Sequence, residues 1–233
     1  MLEVQQLCAW YGKAQILFDV SLRVGAGECV ALMGRNGAGK STTMKALMGL
    51  LAQRSGRVSF EGREVSRLAS HSISRLGLGW VPEDRRIFTD LSVRENLEVG
   101  RQPPRTGAPA WTIEKLTDLF PNLATMLERP GGRTSGGEQQ MLTIARTLMG
   151  NPWLILLDEP SEGVAPLIVE QLARMMVSLK ARGLSILLSE QNIHFARLVS
   201  DRAVVLEKGQ VQFTGTMQEL MANDTVQRTY LSV

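Results

Sequence analysis

The feature that most constrains this chain is a glycine-rich loop, Gly34 to Ser41, that follows the apolar run Cys29 to Met33. The apolar run predicts a buried β-strand, and the loop has the glycine, lysine and hydroxyl spacing of a phosphate-binding loop. Its glycines let the backbone turn successive N–H groups onto phosphate oxygens, and the helix that begins near Ser41 adds its positive dipole end. Lys40 can then reach the β- and γ-phosphates, and Ser41 can ligate Mg²⁺. This order of strand, loop and helix predicts a nucleotide-binding domain.

A second apolar run, Trp153 to Leu157, ends in two carboxylates, Asp158 and Glu159. The run predicts a buried strand, and we expect it to lie beside the strand that precedes the phosphate-binding loop. Asp158 would then emerge at the carboxyl edge of the sheet, where it can hold Mg²⁺ through water. Glu159 can orient or deprotonate the attacking water as general base. Paired with the loop, the two carboxylates predict hydrolysis of the bound nucleotide.

Between these motifs stands a third, the signature segment Ser135-Gly136-Gly137, followed by apolar residues at helical spacing. Two glycines at a helix start expose backbone N–H groups and Ser135 adds a hydroxyl, which predicts a second anion site. Ser135 and Glu138 also have the spacing of a capping box, so an ordinary helix start is the other interpretation. One catalytic loop does not need two phosphate-binding helix ends, unless the second serves the nucleotide of another chain.

The order of predicted elements divides the chain in two. Residues 1–84 and 150–233 predict a core subdomain, with an antiparallel patch of short strands first and alternating strands and helices later, which is typical of a parallel sheet. The later part includes predicted helices from Pro166 to about Ala181 and from about Ile193 to Val199, and a closing hairpin around Lys208-Gly209. Residues 85–149 predict helical segments broken by Pro- and Gly-rich loops, and we interpret them as an inserted helical lobe. A chain of 233 residues fits one domain with such an insertion.

Composition excludes several classes of protein. The 26 basic and 23 acidic side chains leave a formal net charge of +3 without a run of five like charges, so nucleic acid is not indicated as a partner. Apolar stretches fall short of the roughly 18 residues that span a bilayer, and polar residues interrupt the N-terminus where a signal peptide would be apolar. Cys8 and Cys29 are predicted to be small buried hydrophobic residues in a reducing cytosol.

On these three motifs the chain resembles the ATPase subunit of ATP-binding cassette (ABC) transporters over essentially its whole length. The resemblance implies an α/β fold of the P-loop NTPase, ABC ATPase type: a RecA-like, mainly parallel sheet core, an antiparallel β patch and the inserted helical lobe. It implies ATP and Mg²⁺ as cofactors, and two subunits paired head to tail, so that each ATP lies between one phosphate-binding loop and the other subunit's signature segment.

Nucleotide-binding residues carry over from the family position by position. Tyr11 matches the aromatic residue that stacks on adenine; Trp10 is the nearby alternative, and packing against the core is the other interpretation of Tyr11. The implied nucleotide contacts are Tyr11, Gly34, Arg35, Asn36, Gly37, Ala38, Gly39, Lys40, Ser41, Thr42, Ser135, Gly136 and Gly137. The implied metal ligands are Ser41, Glu83 and Asp158, and the implied catalytic residues are Glu159 and Gln191.

Three positions of the chain depart from the usual family pattern. Glu83 stands where glutamine is usual, and its carboxylate can bind Mg²⁺ directly or through water. Gln191 replaces a histidine; it cannot take up a proton, but it can hydrogen-bond the γ-phosphate or orient water. Ala165 replaces an aspartate. His194, three residues beyond Gln191, is interpreted as a surface histidine of a helix.

The same departures narrow the resemblance to one of the two ATPases of the branched-chain amino acid importers, with urea and short-chain amide importers closely similar. The segments that carry it are Val81-Pro82-Glu83, Ser135 to Gln140, Glu162 to Pro166, Glu190-Gln191-Asn192 and Tyr230-Leu231. The implied partners are a second ABC ATPase, the same chain or a paralogue, two transmembrane permease subunits and a periplasmic or extracellular solute-binding protein. The implied location is peripheral, on the cytoplasmic side of the plasma (inner) membrane.

The contact groove for the membrane subunits is expected where the lobe meets the core, near Glu83 to Phe88. Arg85 and Arg86 either contact the partner or are solvated surface residues. Three other functions remain as alternatives: a scaffold ATPase for metal-cluster assembly, a cassette protein that remodels nucleic acid, and a small-molecule kinase. The kinase leaves the signature segment without a role.

Overall fold

Two β-sheets form the framework of the protein, described here for residues 1–231 of a computed structural model. The first sheet has four antiparallel strands in the order β2-β1-β4-β5. Its strands are β1 (Leu2–Tyr11), β2 (Ala14–Val24), β4 (Gln53–Phe60) and β5 (Arg63–Glu64). The second sheet has six strands in the order β10-β9-β3-β8-β7-β6. They are β3 (Cys29–Met33), β6 (Leu78–Val81), β7 (Leu154–Asp158), β8 (Ser185–Glu190), β9 (Arg202–Glu207) and β10 (Gln210–Thr216).

Strands β3, β6, β7, β8 and β9 run parallel, and β10 pairs antiparallel with β9 at the edge. The helices that precede β7 are α1 (Lys40–Leu47), α2 (Ser70–Arg75), α3 (Val93–Val99), α4 (Ile113–Leu119), α5 (Pro121–Ala124) and α6 (Gly136–Leu148). The later helices are α7 (Pro166–Ala181), α8 (Ile193–Val199), α9 (Met217–Ala222) and α10 (Asp224–Val226). A 3₁₀ turn spans Gly131–Arg133, and a π-helical turn spans Gln227–Leu231.

The parallel strands of the six-stranded sheet are buried on both faces, which explains why they are mainly apolar runs. In β3, Val30 and Leu32 join the core cluster that packs beneath the antiparallel sheet and α1. Ala31 and Met33 face the other way, into a cluster with residues of α8 and the C-terminal helices. Because the carboxyl ends of parallel strands lie at the same edge of the sheet, the loops that follow β3, β7 and β8 meet there.

The predicted α/β class with an antiparallel patch is confirmed, but one predicted neighbour is wrong. We expected β7 beside β3, whereas β8 lies between them: Ile186 of β8 is in register with Cys29 of β3 and with Ile155 of β7. Local patterns report that a strand is buried, and the order of strands depends on crossover connections that they do not encode.

Strand β6 was not predicted, because glycines at 77 and 79 weaken its strand pattern. A Cβ on Gly79 would meet the Thr147 methyl group of α6 at 2.8 Å, so the glycine allows α6 to pack closely on this edge of the sheet.

Residues 85–149 form helices α3 to α6, the 3₁₀ turn and loops, and α6 packs on α3 and on strand β6. The predicted helix Pro166 to Ala181 has these bounds as α7, and the predicted turn at Lys208-Gly209 joins β9 to β10. Within residues 1–231, no helix is both long and apolar enough to cross a membrane.

Candidate nucleotide-binding site

The phosphate-binding loop joins the buried end of β3 to α1, and glycine is required at two of its close approaches. Gly34 has φ +149°, and a Cβ there would collide with the backbone carbonyl of Leu206 in β9. Gly39 has φ +109°, and its Cβ would meet the Leu17 side chain of β2 at 2.9 Å. The loop is therefore wrapped tightly between the two sheets while Arg35, Asn36 and Gly37 stay exposed at its rim.

Lys40 is buried and held by three oxygen atoms, two from the loop and one from Glu159. Its Nζ donates to the carbonyl oxygens of Gly34 at 2.8 Å and Arg35 at 3.2 Å. The same Nζ forms an ion pair with Oε1 of Glu159 at 3.0 Å, and both side chains are less than a tenth exposed. A buried ammonium in a backbone cradle is the arrangement that binds polyphosphate, because it places positive charge where backbone N–H groups converge.

Ser41 and Asp158 lie side by side at the carboxyl edge of the sheet, where the Ser41 hydroxyl donates to Oδ1 of Asp158 at 3.1 Å. Burial raises the pKa of Asp158, and the hydrogen bond from Ser41 opposes the rise. Both residues and Glu83 line a cleft of about 220 Å³. A hydroxyl and carboxylates are hard oxygen donors, and Mg²⁺ takes one or two such protein ligands beside substrate phosphates, so this donor set fits Mg²⁺.

Glu159 is positioned by both its backbone and its side chain. Its φ of +47° is uncommon for a residue other than glycine, and its backbone N–H donates to the Ser189 carbonyl at 3.0 Å. Nε2 of Gln191 donates to Oε2 of Glu159 at 2.7 Å and to Oδ1 of Asn36, also at 2.7 Å. Gln191 therefore connects the predicted base to the rim of the phosphate-binding loop.

Two glutamates of this region have displaced pKa values. Burial pushes the pKa of Glu159 upwards, but hydrogen bonds from Gln191 and Glu162 and the charge of Lys40 outweigh it, so the pKa of Glu159 is lowered. The pKa of Glu162 is raised to about 7, first because of its hydrogen bond with Glu159, then by burial and nearby carboxylates. Near neutral pH Glu162 is therefore partly protonated, whereas Glu159 is ionised.

The signature segment begins α6 with a complete capping box. The Glu138 backbone N–H donates to Oγ of Ser135 at 3.4 Å, and the Ser135 N–H donates to Oε2 of Glu138 at 2.6 Å. Ser135 is exposed. Among the hydrogen bonds within residues 1–231, none joins this segment to the phosphate-binding loop.

Tyr11 ends β1 at the hairpin with β2, whose Leu17 contacts Gly39. The side chain of Tyr11 is 47% exposed, whereas Trp10 is half-buried. Tyr11 thus lies on the hairpin that borders the loop, with about half of its side chain exposed. Thr42 follows Ser41 in the first turn of α1 and is half-buried.

One buried acidic residue was missed as a site residue. Glu190 ends β8 and is 2% exposed; its carboxylate accepts backbone N–H groups from Ser161, Gln191 and Asn192. Burial raises the pKa of Glu190, and the bonds with Ser161 and Asn192 oppose the rise. The signal was present, because Glu190 follows an apolar strand as Asp158 does, but only the motif that contains it was noted. His194 is exposed on α8, as predicted.

Comparisons with known proteins agree with this geometry. Residues 17–162 match the ABC transporter family. The chain is 42% identical over 231 residues to the "High-affinity branched-chain amino acid transport ATP-binding protein BraG" of Pseudomonas aeruginosa, covering 99% of each. It is 35% identical to the "Lipopolysaccharide export system ATP-binding protein LptB" of Haemophilus influenzae, covering 99% of this chain and 97% of LptB.

Two further similarities span the whole chain. The "Probable branched-chain amino acid transport ATP-binding protein LivF" of Archaeoglobus fulgidus is 34% identical, covering 100% of this chain and 99% of that one. The crystal structure of a nucleotide-free ATP-binding cassette from an ABC transporter has a TM-score of 0.82 at 26% identity, covering 97% of this chain and 96% of that chain. The similarity therefore includes both sheets and the helical segment.

Proposed function

The chain belongs to the ABC transporter family as an ATP-hydrolysing subunit, and from this premise we propose that it energises an importer of branched-chain amino acids. It would work as a peripheral subunit on the cytoplasmic side of the plasma membrane, with two permease subunits, a second ATPase and a solute-binding protein. The observation that carries the ATPase role is the convergence of Lys40, Ser41, Asp158, Glu159 and Gln191 at one sheet edge.

Each residue has a separate task in this proposal. The loop and Lys40 bind the β- and γ-phosphates, and Tyr11 stacks on adenine. Ser41 and Asp158 would hold Mg²⁺ with Glu83 beside them; the ion would neutralise phosphate charge. Glu159 orients the attacking water and accepts its proton, and its lowered pKa keeps it ionised for that purpose. Gln191 holds the Glu159 carboxylate in place by its 2.7 Å hydrogen bond.

A groove suited to the permease lies beside this site. The groove has a volume of about 530 Å³ and is walled by exposed apolar side chains, among them Leu50, Phe88 and Val99. Arg86 lies over the Trp80 ring at 5.4 Å, and Arg146 over the Phe88 ring at 5.0 Å. Apolar walls with two arginines fit an amphipathic helix end that carries a carboxylate.

The groove and the Mg²⁺ cleft share two of their residues, Trp80 and Arg86. The segment from Pro82 to Phe88 therefore borders both the phosphate end of the site and the proposed permease contact. Arg146 of α6 donates to the Arg86 carbonyl at 2.6 Å. Movement of this segment would therefore displace α6, the helix that begins with the signature segment. This arrangement supports coupling between ATP and the membrane subunits.

Glu159→Gln tests the ATPase role directly. The substitution keeps the shape of the side chain but removes the base, so ATP binding should persist while hydrolysis falls at least ~100-fold. Purified wild-type protein and the variant would be compared by ATP binding and by phosphate release. Unchanged turnover in the variant would remove Glu159 as the base.

Uptake measurements test the cargo, which the fold does not encode because selectivity resides in other subunits. A host strain lacking this gene should lose uptake of labelled leucine, and regain it with the wild-type gene but not with Glu159→Gln. Normal leucine uptake combined with defective lipopolysaccharide at the cell surface would favour export, as the similarity to LptB suggests. Loss of labelled urea uptake alone would favour the urea importers.

A further inference from the structure

We propose that Glu190 is a positioning residue that ties together the two loops carrying the catalytic groups, and that hydrolysis depends on this tie. The inference rests on the proposed ATPase function and deepens it. The first loop follows β7 and contains Glu159 and Ser161; the second follows β8 and contains Gln191 and Asn192. Glu190 stands at the base of the second loop, at the end of β8.

Three hydrogen bonds make the connection. Oε1 of Glu190 accepts the backbone N–H of Ser161 at 3.2 Å, and Oε2 accepts those of Gln191 at 3.1 Å and Asn192 at 3.0 Å. The two carboxylate oxygens therefore serve different loops. The side chain bridges 29 positions of sequence, from Ser161 to Glu190, within the buried interior.

A carboxylate is unusual at this position, because Glu190 is 2% exposed and forms no ion pair within residues 1–231. Burying an ionised group without a cation is unfavourable unless several donors compensate it. A carboxylate is the side chain that accepts from three N–H groups without offering a donor of its own. The Glu190 carboxylate thus acts only as an acceptor, and it connects the backbones of two loops.

The bridge fixes the geometry of the base. The Gln191 backbone is held by Glu190, and the Gln191 side chain holds the Glu159 carboxylate at 2.7 Å. Ser161 stands two residues beyond Glu159, whose φ of +47° needs support from its surroundings. Releasing Glu190 would therefore free both ends of the arrangement that aims Glu159, while Lys40 and the phosphate-binding loop stay in place.

Glu190→Gln is the direct test, because the amide keeps the volume but turns a donor toward backbone N–H groups. We expect kcat for ATP hydrolysis to fall roughly 10- to 100-fold, because a displacement of about 1 Å costs this much, while KM for ATP changes by less than about threefold. Glu207→Gln, at the end of strand β9 in the same sheet, is the matched control and should keep the wild-type rate.

Glu190→Asp keeps the carboxylate but shortens the side chain, so it distinguishes the effect of the charge from that of side-chain length. The side chain is about 1.5 Å shorter, so it can still accept from Gln191 and Asn192 but loses the bond to Ser161. We expect a loss of kcat similar to that of Glu190→Gln, together with faster amide hydrogen exchange at Ser161. This second variant keeps the inference testable if Glu190→Gln does not fold.

The outcomes separate the inference from the proposed function. Wild-type protein that binds but never hydrolyses ATP, even with its partners, would overturn the ATPase role. Wild-type hydrolysis with undiminished kcat in either folded Glu190 variant would overturn the tie alone. A rise of KM with kcat unchanged would also overturn it, because Glu190 would then act on nucleotide binding.

Discussion

At the scale of single residues, the buried pair of Lys40 and Glu159 dominates the electrostatics of the site. The two charges are 3.0 Å apart and nearly inaccessible to water. Removing one partner of such a pair leaves the other charge buried and uncompensated, which is far more costly than losing an exposed pair. The residues that bind phosphate and activate water therefore also stabilise each other in the protein itself.

Lys40→Met should consequently lower the free energy of unfolding by about 3 kcal/mol. Adding Glu159→Gln to that variant should restore most of the loss, because the unpaired carboxylate is then neutral. Urea unfolding without nucleotide measures both. The control is Arg174→Met, which breaks an exposed pair with Glu170 and should cost less than about 1 kcal/mol. Equal losses of unfolding free energy in Lys40→Met and Arg174→Met would contradict the account.

The two cysteines should differ in reactivity. Burial raises the pKa of the Cys29 thiol to about 12, so almost none of it is thiolate near pH 8, whereas Cys8 is partly exposed. A maleimide reagent at pH 8 should label one thiol per native chain and two after denaturation, and Cys8→Ser should remove native labelling. Rapid labelling of native Cys8→Ser would show that Cys29 is accessible.

The sequence located the chemical residues better than their contacts. Lys40, Asp158 and Glu159 were predicted because their roles follow from local motifs. The contact between Gln191 and Asn36 joins residues 155 positions apart, and a local pattern does not encode which loops meet. The contact between Glu190 and Ser161, 29 positions apart, was missed for the same reason.

At the scale of secondary structure, three helices begin with the same capping box, and only one of them is a proposed nucleotide contact. Helix α3 begins with Ser92 and Glu95, α6 with Ser135 and Glu138, and α9 with Thr216 and Glu219. The two interpretations of the signature segment are therefore compatible: Ser135 caps its helix and is still exposed. The shared geometry provides controls within one chain.

Ser135→Ala should cost about 1 kcal/mol of stability, and so should Ser92→Ala, because each loses an N-cap. Only Ser135→Ala should in addition reduce ATP hydrolysis, since its hydroxyl is proposed to contact a second chain's nucleotide. Thermal unfolding and phosphate release, measured on both variants, separate the effects. Equal hydrolysis in the two variants would reduce the signature segment to a helix cap.

Most elements could be read from periodicity, and the exceptions have physical causes. Helices α7 and α8 were predicted with their observed bounds, because Pro166 and Asn192 mark their starts. Strand β6 was not predicted, because Gly79 allows close packing of α6 but weakens the strand pattern. The place of β8 between β3 and β7 is a property of the crossover connections.

At the scale of the whole molecule, the phosphate-binding loop and the exposed signature segment are separate surfaces of one chain. The proposed permease groove of about 530 Å³ adds a third surface, which shares Trp80 and Arg86 with the Mg²⁺ cleft. We propose that this chain acts within an assembly, in which another cassette completes its ATP site and membrane subunits fill its groove. The division of residues 1–84 and 150–233 from 85–149 is proposed to let these surfaces move relative to each other.

Copurification from the natural host tests this central claim most directly. Tagged Glu159→Gln would be trapped with ATP, extracted in mild detergent and analysed by mass spectrometry, with Lys40→Met as the control that should not hold ATP. The account predicts two permease proteins and a second ABC ATPase with the trapped variant. Recovery of soluble partners alone, under several detergents, would contradict the transport function and favour a scaffold ATPase.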